Sequence, residues 1–481
     1  MQIYNTTAPP GAAYTSGAPA VPTIQRHSTL RHVQYPVPPD LDITAKPWAL
    51  PEQTPLIFVH ANVVDPAAGK VLKDVTVKLG GGIIRSLEPT SKESDLGLTV
   101  EELQGTVIDA KGFYMCPGLI DCHVHIMAVP GYENIVDTIN GVRDTALLRS
   151  AWVLKNMLSQ GFTTVRDVGG ASKPQAQAVE QWLFPGPRLF QGGPVLSQTG
   201  GHGDSTDPYA QQGCCGVRGT GLGRLIDGVP EALRAAREVM RMGADHIKIT
   251  TSGGVGSVTD ALEATQLTKE EIVAITTTVK NMGGIITTSH CYTNEGIRHS
   301  IEAGVGGIEH GNLLDEPTAK LMAEKGIYLT PTLAVHGIIM NPPFEKFLLP
   351  SQREKNAMVR DAGLVAIQNA EKAGVTVCYG SDLLGVMHAF QTQEFVVRSK
   401  VLPSATVLKQ ATTNPAKLLK MEGKIGTIAP GAFADIIFLK DDPLKDCTII
   451  DRQNEFLLGV MKEGRVVRSR IPGLEVEVPL W

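Results

Sequence analysis

The stretch GLIDCHVH (118–125) sets a rhythm that recurs down the chain. It is a short β-rich run that ends in polar residues and gives way to a helical pattern. Seven further runs follow: FTTVRDV (162–168), RLFQGG (188–193), DHIKITT (245–251), GIITTSH (284–290), VGGIEH (305–310), IYLTPTL (327–333) and VTVCYGSD (375–382). Helical segments fill the gaps. VPEALRAAREVMRMGA (229–244) has a Gly near its end, and LTKEEIVAITTTVKNMGG (267–284) offers Thr268 as N-cap with Glu271 at the capping-box position. Eight β–α units in series predict an α/β fold of the (β/α)8 TIM-barrel type, because a doubly wound sheet rarely strings so many strands in a row.

Outside this core the pattern changes. LIFVHANVVD (56–65), VLKDVTVKLG (71–80) and GIIRSLEP (82–89) read as short strands separated by turn residues. A similar rhythm returns in GTIAPGAFADIIFLKD (426–441) and FLLGVMKEGRVVRS (456–469). Each flank is too small to bury a sheet face alone, so the two are expected to pair into one composite β-sandwich. The expected organisation is an extended arm over 1–53, sandwich over 54–112, barrel over 113–420, and sandwich with a tail over 421–481. The arm is rich in Pro, Ala and Thr and lacks apolar periodicity, so it cannot bury enough surface to offset its ordering entropy.

The 481 residues are 42% hydrophobic and 19% charged, which excludes collagen-like, coiled-coil and wholly disordered chains. Net charge is −5 from 44 Lys+Arg against 49 Asp+Glu, with the signs interspersed, so the chain shows no electrostatic footprint for nucleic acid or an anionic membrane. The first residues lack a basic n-region and an apolar h-region, and no run of about 18 apolar residues occurs. A soluble cytoplasmic protein is expected. Seven Cys, an odd number thinly spread, point to reduced thiols, and Cys214 and Cys215 lack the second pair of a structural zinc site.

Polar residues gather where strands end. A strand's period of two turns His123 and His125 to one face and Val124 to the other, so both imidazoles can reach one metal. Lys248 stands between Ile247 and Ile249, and a lysine pointing into a barrel is costly unless paired or neutralised. His290 closes the fifth run, His310 the sixth and Asp382 the eighth. These are C-terminal strand ends, the face on which barrel enzymes carry their chemistry. Taken singly, each residue has a structural explanation: a hydrogen-bonded core His, an Asp that caps a helix, a Lys paired with a carboxylate. Their common address at one mouth favours a site. His202, in a Gly-rich loop, is a candidate for hydrogen-bonding the substrate or a developing oxyanion, or else only backbone. Ser252 and Gly253, with Gly254, either let a ligand approach the backbone or turn the chain. Tyr292 is a candidate contact for a substrate carboxylate.

CPGLIDCHVH (116–125), GFTTVRDVGG (161–170) and ATTNPAKLLKMEGKIGTIAPGAFADIIFLKDDPL (411–444) resemble the amidohydrolase superfamily, and the likeness runs from about residue 55 to 470. SQTGGHGD (197–204) and IKITTSGGVGS (247–257) are most similar to its branch of prolidase-like carboxypeptidases and ochratoxinase-like enzymes. The resemblance implies that His123, His125 and Asp382 hold one metal, that His290 and His310 hold a second, and that Lys248, converted by CO2 to a carbamate, bridges them. It further implies that a hydroxide shared by the two ions attacks a scissile carbonyl, with Asp382 as general base and then general acid. Zn2+ is the default ion, and Mn2+, Co2+ or Fe2+ suit the same ligands. Two stretches depart from the relatives: Cys291-Tyr292-Thr293 replaces a small Gly-containing stretch, and QQGCCGVRGTGLG (211–223) reads as an insertion that covers the pocket.

The resulting expectation is a binuclear hydrolase cleaving an amide bond in an N-acyl amino acid, a dipeptide-like or an ochratoxin-like small molecule. By analogy it is a homo-oligomer. A lactonase, esterase or cyclic-amide hydrolase on the same site is the alternative, since bond type depends on pocket contacts. A catalytically silent binding protein is the non-enzymatic one.

Overall fold

A computed structural model describes residues 44–90, 105–206 and 220–481. Most of the expected arm, and the part of the expected insertion that holds Cys214 and Cys215, lie outside the described residues. Up to Pro47 the chain forms a unit of its own, of which residues 44–47 are described as turn and irregular backbone; Trp48–Trp481 is the second unit.

The N-terminal flank of this second unit supplies β1 (Leu56–Asp65), β2 (Lys70–Gly80), β3 (Ile83–Pro89), β4 (Thr106–Asp109) and β5 (Tyr114–Pro117). The barrel follows with β6 (Leu119–Val124), β7 (Phe162–Asp167), β8 (Arg188–Gln191), β9 (Val195–Ser197), β10 (Gly223–Leu225), β11 (Ile247–Thr250), β12 (Thr287–Cys291), β13 (Gly307–His310) and β14 (Tyr328–Thr330). The C-terminal flank adds β15 (Ile436–Leu439), β16 (Leu457–Lys462) and β17 (Arg465–Ser469).

The barrel strands run parallel in two hydrogen-bonded groups, β6-β7-β8 and β10-β9-β11-β12-β13-β14. Backbone hydrogen bonds close the ring between them. On one side, Asp245 N donates to the Gln191 carbonyl at 2.9 Å. On the other, the eighth run bridges Leu329 through Val377, and Cys122 N donates to the Tyr379 carbonyl at 2.8 Å. The third run is longer than the sequence suggests: it kinks through Gly192-Gly193-Pro194 and resumes as β9. The eighth is less regular than its neighbours and makes a single bridge before it reaches Asp382. Side chains of β6, β7, β11, β12 and β13 are buried on both faces, as parallel strands covered by helices require. The helix Val229–Arg241 buries Ala232, Ala235, Ala236 and Val239 against them. The helix Lys269–Asn281 starts as the sequence predicts, with reciprocal capping between Thr268 and Glu271.

The two flanks meet in one continuous eight-stranded sheet, because β15 pairs antiparallel with β5. Phe58 of one flank packs on Phe438 of the other with ring centroids 5.1 Å apart. Their shared core includes Val77, Met115, Ile436 and Met461, all fully buried. Among the described residues no helix is long and apolar enough to cross a membrane. Cys116, Cys122, Cys291, Cys378 and Cys447 are free and buried.

Candidate active site

His123 and His125, two apart at the end of β6, project to the same mouth, with ring centroids 5.3 Å apart. The rings continue in a chain: His123 to His310 at 4.8 Å, His310 to His290 at 4.6 Å, and His290 to His202 at 3.9 Å, nearly parallel. Asp382 reaches in from the eighth run, its Oδ1 3.3 Å from Nε2 of both His123 and His125. Lys248 lines the same cavity, which measures about 190 Å³ and so admits a small molecule but not the folded surface of a macromolecule. One wall of the cavity is apolar, made by Ile135, Leu222, Val255, Val335, Ile339 and Leu384.

Each imidazole ties one ring nitrogen to the protein and keeps the other for the mouth. His123 Nδ1 lies 2.8 Å from Glu309 Oε2, His125 Nδ1 3.2 Å from the Gly169 carbonyl, His290 Nε2 3.2 Å from the Gly253 carbonyl, and His310 Nδ1 2.8 Å from Thr332 Oγ1. Such partners fix ring orientation and tautomer, as they do around metal-binding histidines. Burial, helped by neighbouring imidazoles, holds the pKa values of His290 and His310 well below the ordinary value, so both rings are neutral. Burial opposes ionisation of Asp382, yet the surrounding imidazoles keep its carboxyl well below the usual range. For His125 burial pulls downward, and contact with Asp382 outweighs it and raises the pKa.

Among the described residues no hydrogen bond or ion pair reaches the buried Lys248 ammonium; burial lowers its pKa to about 8 against the attraction of Glu309 and Asp382. The donor set therefore suits divalent cations: imidazoles, a carboxylate and an amine that deprotonates near neutral pH. Donor atoms of His123, His310 and Asp382 all fall within 4.8 Å of one another. Two of these residues, His310 and Asp382, hold left-handed backbone at φ 73° and 53°. Strain of this kind at non-glycine residues persists only where the surroundings enforce it, and it clusters at functional sites.

Tyr292 lines the cavity with its ring stacked on His310 at 4.9 Å and edge-on to His290 at 5.0 Å. Burial keeps its phenol pKa well above the ordinary value. Ser252 and Gly253 are not among the residues that line the cavity. Ser252 Oγ accepts from Tyr292 N at 3.0 Å, so it positions that residue. Gly253 is required because a Cβ there would stand 1.7 Å from the Ala261 carbonyl oxygen.

His202 also lines the cavity, but as a different hydrogen-bonding partner from the one expected. The Ser257 hydroxyl gives its proton to Asp260 or to the Gly254 carbonyl, both acceptors, so His202 Nδ1 must donate to Ser257 Oγ at 2.8 Å. Burial lowers the His202 pKa to about 4, against the attraction of Asp260, and the ring is neutral. Its Nε2 is then an acceptor, and only the protonated ring would donate to an oxyanion.

Sequence reasoning missed Asp121, Arg166, Asp167 and Glu309. Asp121 accepts from His123 N and Ser381 N, fastening the first run to the eighth. Asp167 accepts from Ile126 N, Gly169 N and Ala171 N. All four are fully or almost fully buried charges inside apolar strands, the signal that singled out Lys248, and the same test applied to IDC, VRD and IEH finds them.

The Amidohydrolase family pattern matches residues 114–467. The ochratoxinase of Aspergillus niger is 29% identical over 479 residues, covering 95% of this chain and 96% of that enzyme. A crystallised amidohydrolase shares 39% identity with a TM-score of 0.80, covering 87% of this chain and all of its own. A prolidase crystallised with N-methylphosphonate-L-proline shares 36% identity with a TM-score of 0.81 over the same shares. With barrel, mouth and family pattern in agreement, the chain belongs to the amidohydrolase family, in its ochratoxinase- and prolidase-like branch.

Proposed function

We propose that this hydrolase uses divalent metal to cleave the amide bond of an N-acyl amino acid, a dipeptide or an ochratoxin-like amide. The observation that carries the reading is the convergence on one cavity of four imidazoles, the Asp382 carboxylate that two of them meet, and Lys248, which has no hydrogen-bond or ion-pair partner among the described residues. The branch membership supports it, since both the Aspergillus ochratoxinase and the prolidase are similar over most of their length. His123, His125 and Asp382 would hold one ion, and His290 and His310 a second. Lys248, once its neutral amine adds CO2 and loses a proton, would present two carbamate oxygens between them. Bound ions, most simply Zn2+, supply Lewis acidity toward a carbonyl and toward water. The chain's own part is to orient and to move protons: Glu309 and Thr332 fix the rings of His123 and His310, and Asp382 accepts a proton and returns it to the leaving amine. The apolar wall holds the side chain of the substrate and excludes water.

The test is a hydrolysis screen over N-acyl amino acids, dipeptides, cyclic amides and matched esters, with metal content measured on the same samples. Amide cleavage that disappears on chelation and returns with added ion is the expected result. Full activity after rigorous chelation, or in Lys248→Ala, overturns the reading; preference for the ester of each pair moves it to the lactonase and esterase alternative.

A further inference from the structure

His336 sits in the short helix Ala334–Ile338, lines the cavity and is 3% exposed. Its Nδ1 lies 2.7 Å from Asn356 Oδ1, and Asn356 Nδ2 donates back to the His336 carbonyl at 2.9 Å. The second bond fixes which end of the amide faces the ring. Asn356 therefore offers an acceptor, and the proton must be on Nδ1 of His336. The other nitrogen, Nε2, is buried and has no partner among the described residues. A buried acceptor left alone costs free energy unless something completes it.

The position of this acceptor defines which part of a ligand it meets. The His336 ring is 6.1 Å from Tyr292, whose ring in turn stacks on His310. Tyr292 thus links it ring to ring with His310, and Val335, Ile339 and Leu348 line the same cavity. An apolar wall disfavours a charged group there, and burial keeps the His336 ring neutral.

We propose that His336 Nε2 is a specificity-determining acceptor for a neutral O–H or N–H group carried by the distal, otherwise apolar part of the substrate. The inference rests on reading the cavity as an amide-hydrolase site and narrows the substrate class to amides whose apolar group bears a hydroxyl or ring N–H. Asn356 is the positioning residue that sets the tautomer. A site built to hydrogen-bond such a group discriminates strongly against the analogue that lacks it.

The experiment compares matched amides in the metal-loaded enzyme: N-acetyl-tyrosine with N-acetyl-phenylalanine, N-acetyl-tryptophan with N-acetyl-naphthylalanine, and the hydroxyphenylacetyl isomers of phenylalanine with the phenylacetyl compound. In at least one pair the donor-bearing member should be favoured roughly tenfold or more in kcat/KM. His336→Phe should erase that preference by cutting kcat/KM for the donor-bearing member well below its effect on the donor-free one, whereas His336→Gln, which retains an acceptor, should keep part of it. Asn356→Leu, which frees the tautomer, should weaken the preference without removing the ring. No discrimination in any pair by the wild-type enzyme, or equal losses on both members in His336→Phe, overturns the proposal. Titration calorimetry with the same pairs needs no turnover and separates this inference from the reading it rests on. Preferential binding of donor-bearing members without hydrolysis sustains the role of His336 and sinks amide cleavage. Hydrolysis without preferential binding does the reverse.

Discussion

Glu309 shows how much of the site depends on residues that never face the cavity. Its carboxylate accepts from His123 Nδ1, from Arg166 Nη2 at 2.5 Å and from Thr288 Oγ1, all in the barrel interior. Burial alone would push its pKa up, and Arg166 and His123 hold it well below the usual range. Glu309→Gln keeps the shape and removes the charge, so metal affinity should fall roughly 10–100-fold, the typical cost of losing a partner behind a ligand. Titration of the metal-free variant with Zn2+ checks this; an unchanged affinity refutes it. Arg166→Met leaves the Glu309 carboxylate uncompensated and should cost about 3–5 kcal/mol in chemical denaturation. For Lys248, the expected outcome is a carbamate resonance in 13C spectra of enzyme equilibrated with 13CO2 and metal, absent in Lys248→Ala. A wild-type spectrum without that resonance would remove the carbamate from the scheme.

At the scale of the element, the loop 252–264 is held in place from outside the barrel. Lys355, on the helix Pro350–Ala373, donates to the carbonyls of Gly254, Ser257 and Asp260 at 2.6, 2.8 and 3.0 Å. The loop in turn holds His202 through Ser257 and His290 through the Gly253 carbonyl. Lys355→Met removes all three donors, so amide hydrogen exchange over 252–264 should accelerate while the barrel strands keep their protection, a local opening instead of global unfolding. Gly254 is confined more sharply, because a Cβ there would lie 2.1 Å from the His202 ring. Gly254→Ala must displace His202 or the loop, and kcat/KM should fall by about 10²-fold, as misplacements of an ångström do. Near-normal kinetics in that variant would show that His202's position does not matter to turnover.

For the whole molecule, one of the two closures between the hydrogen-bonded groups of barrel strands runs through the irregular eighth run, which also carries Asp382. Asp382 N donates to the His123 carbonyl at 2.9 Å, so ring closure and ligand placement are the same event. Metal binding should therefore raise Tm in proportion to the logarithm of free ion above its Kd, as mass action on the folded state requires. Scanning calorimetry across a Zn2+ series measures it. A separate prediction concerns acid. His388 is buried, with Nε2 3.2 Å from the Ala128 carbonyl and its pKa lowered by burial to about 4. Between about pH 6.5 and 4 the unfolded chain carries a proton on this residue that the folded chain does not, so its stabilising contribution is full above 6.5 and fades as pH falls. His388's share of the loss from pH 7 to 5 should be about 2 kcal/mol, read by urea denaturation as the difference between the wild-type loss and the smaller loss in His388→Gln.

The alternation of short apolar runs with helical patterns by itself determined the barrel, since the period of side-chain burial is a local property of the chain. The residues at the mouth were legible for the same reason: a charge or imidazole in an apolar strand stands out against its neighbours, as Lys248 and His310 do. What only the tertiary structure decided are the relations between nitrogens and their partners, which depend on residues distant in the chain. The Glu309 carboxylate behind His123, the Ser257 hydroxyl that turns His202 into an acceptor, and the open Nε2 of His336 are set by hydrogen-bond direction across 20 to 186 positions of sequence separation. No pattern along one dimension encodes that direction.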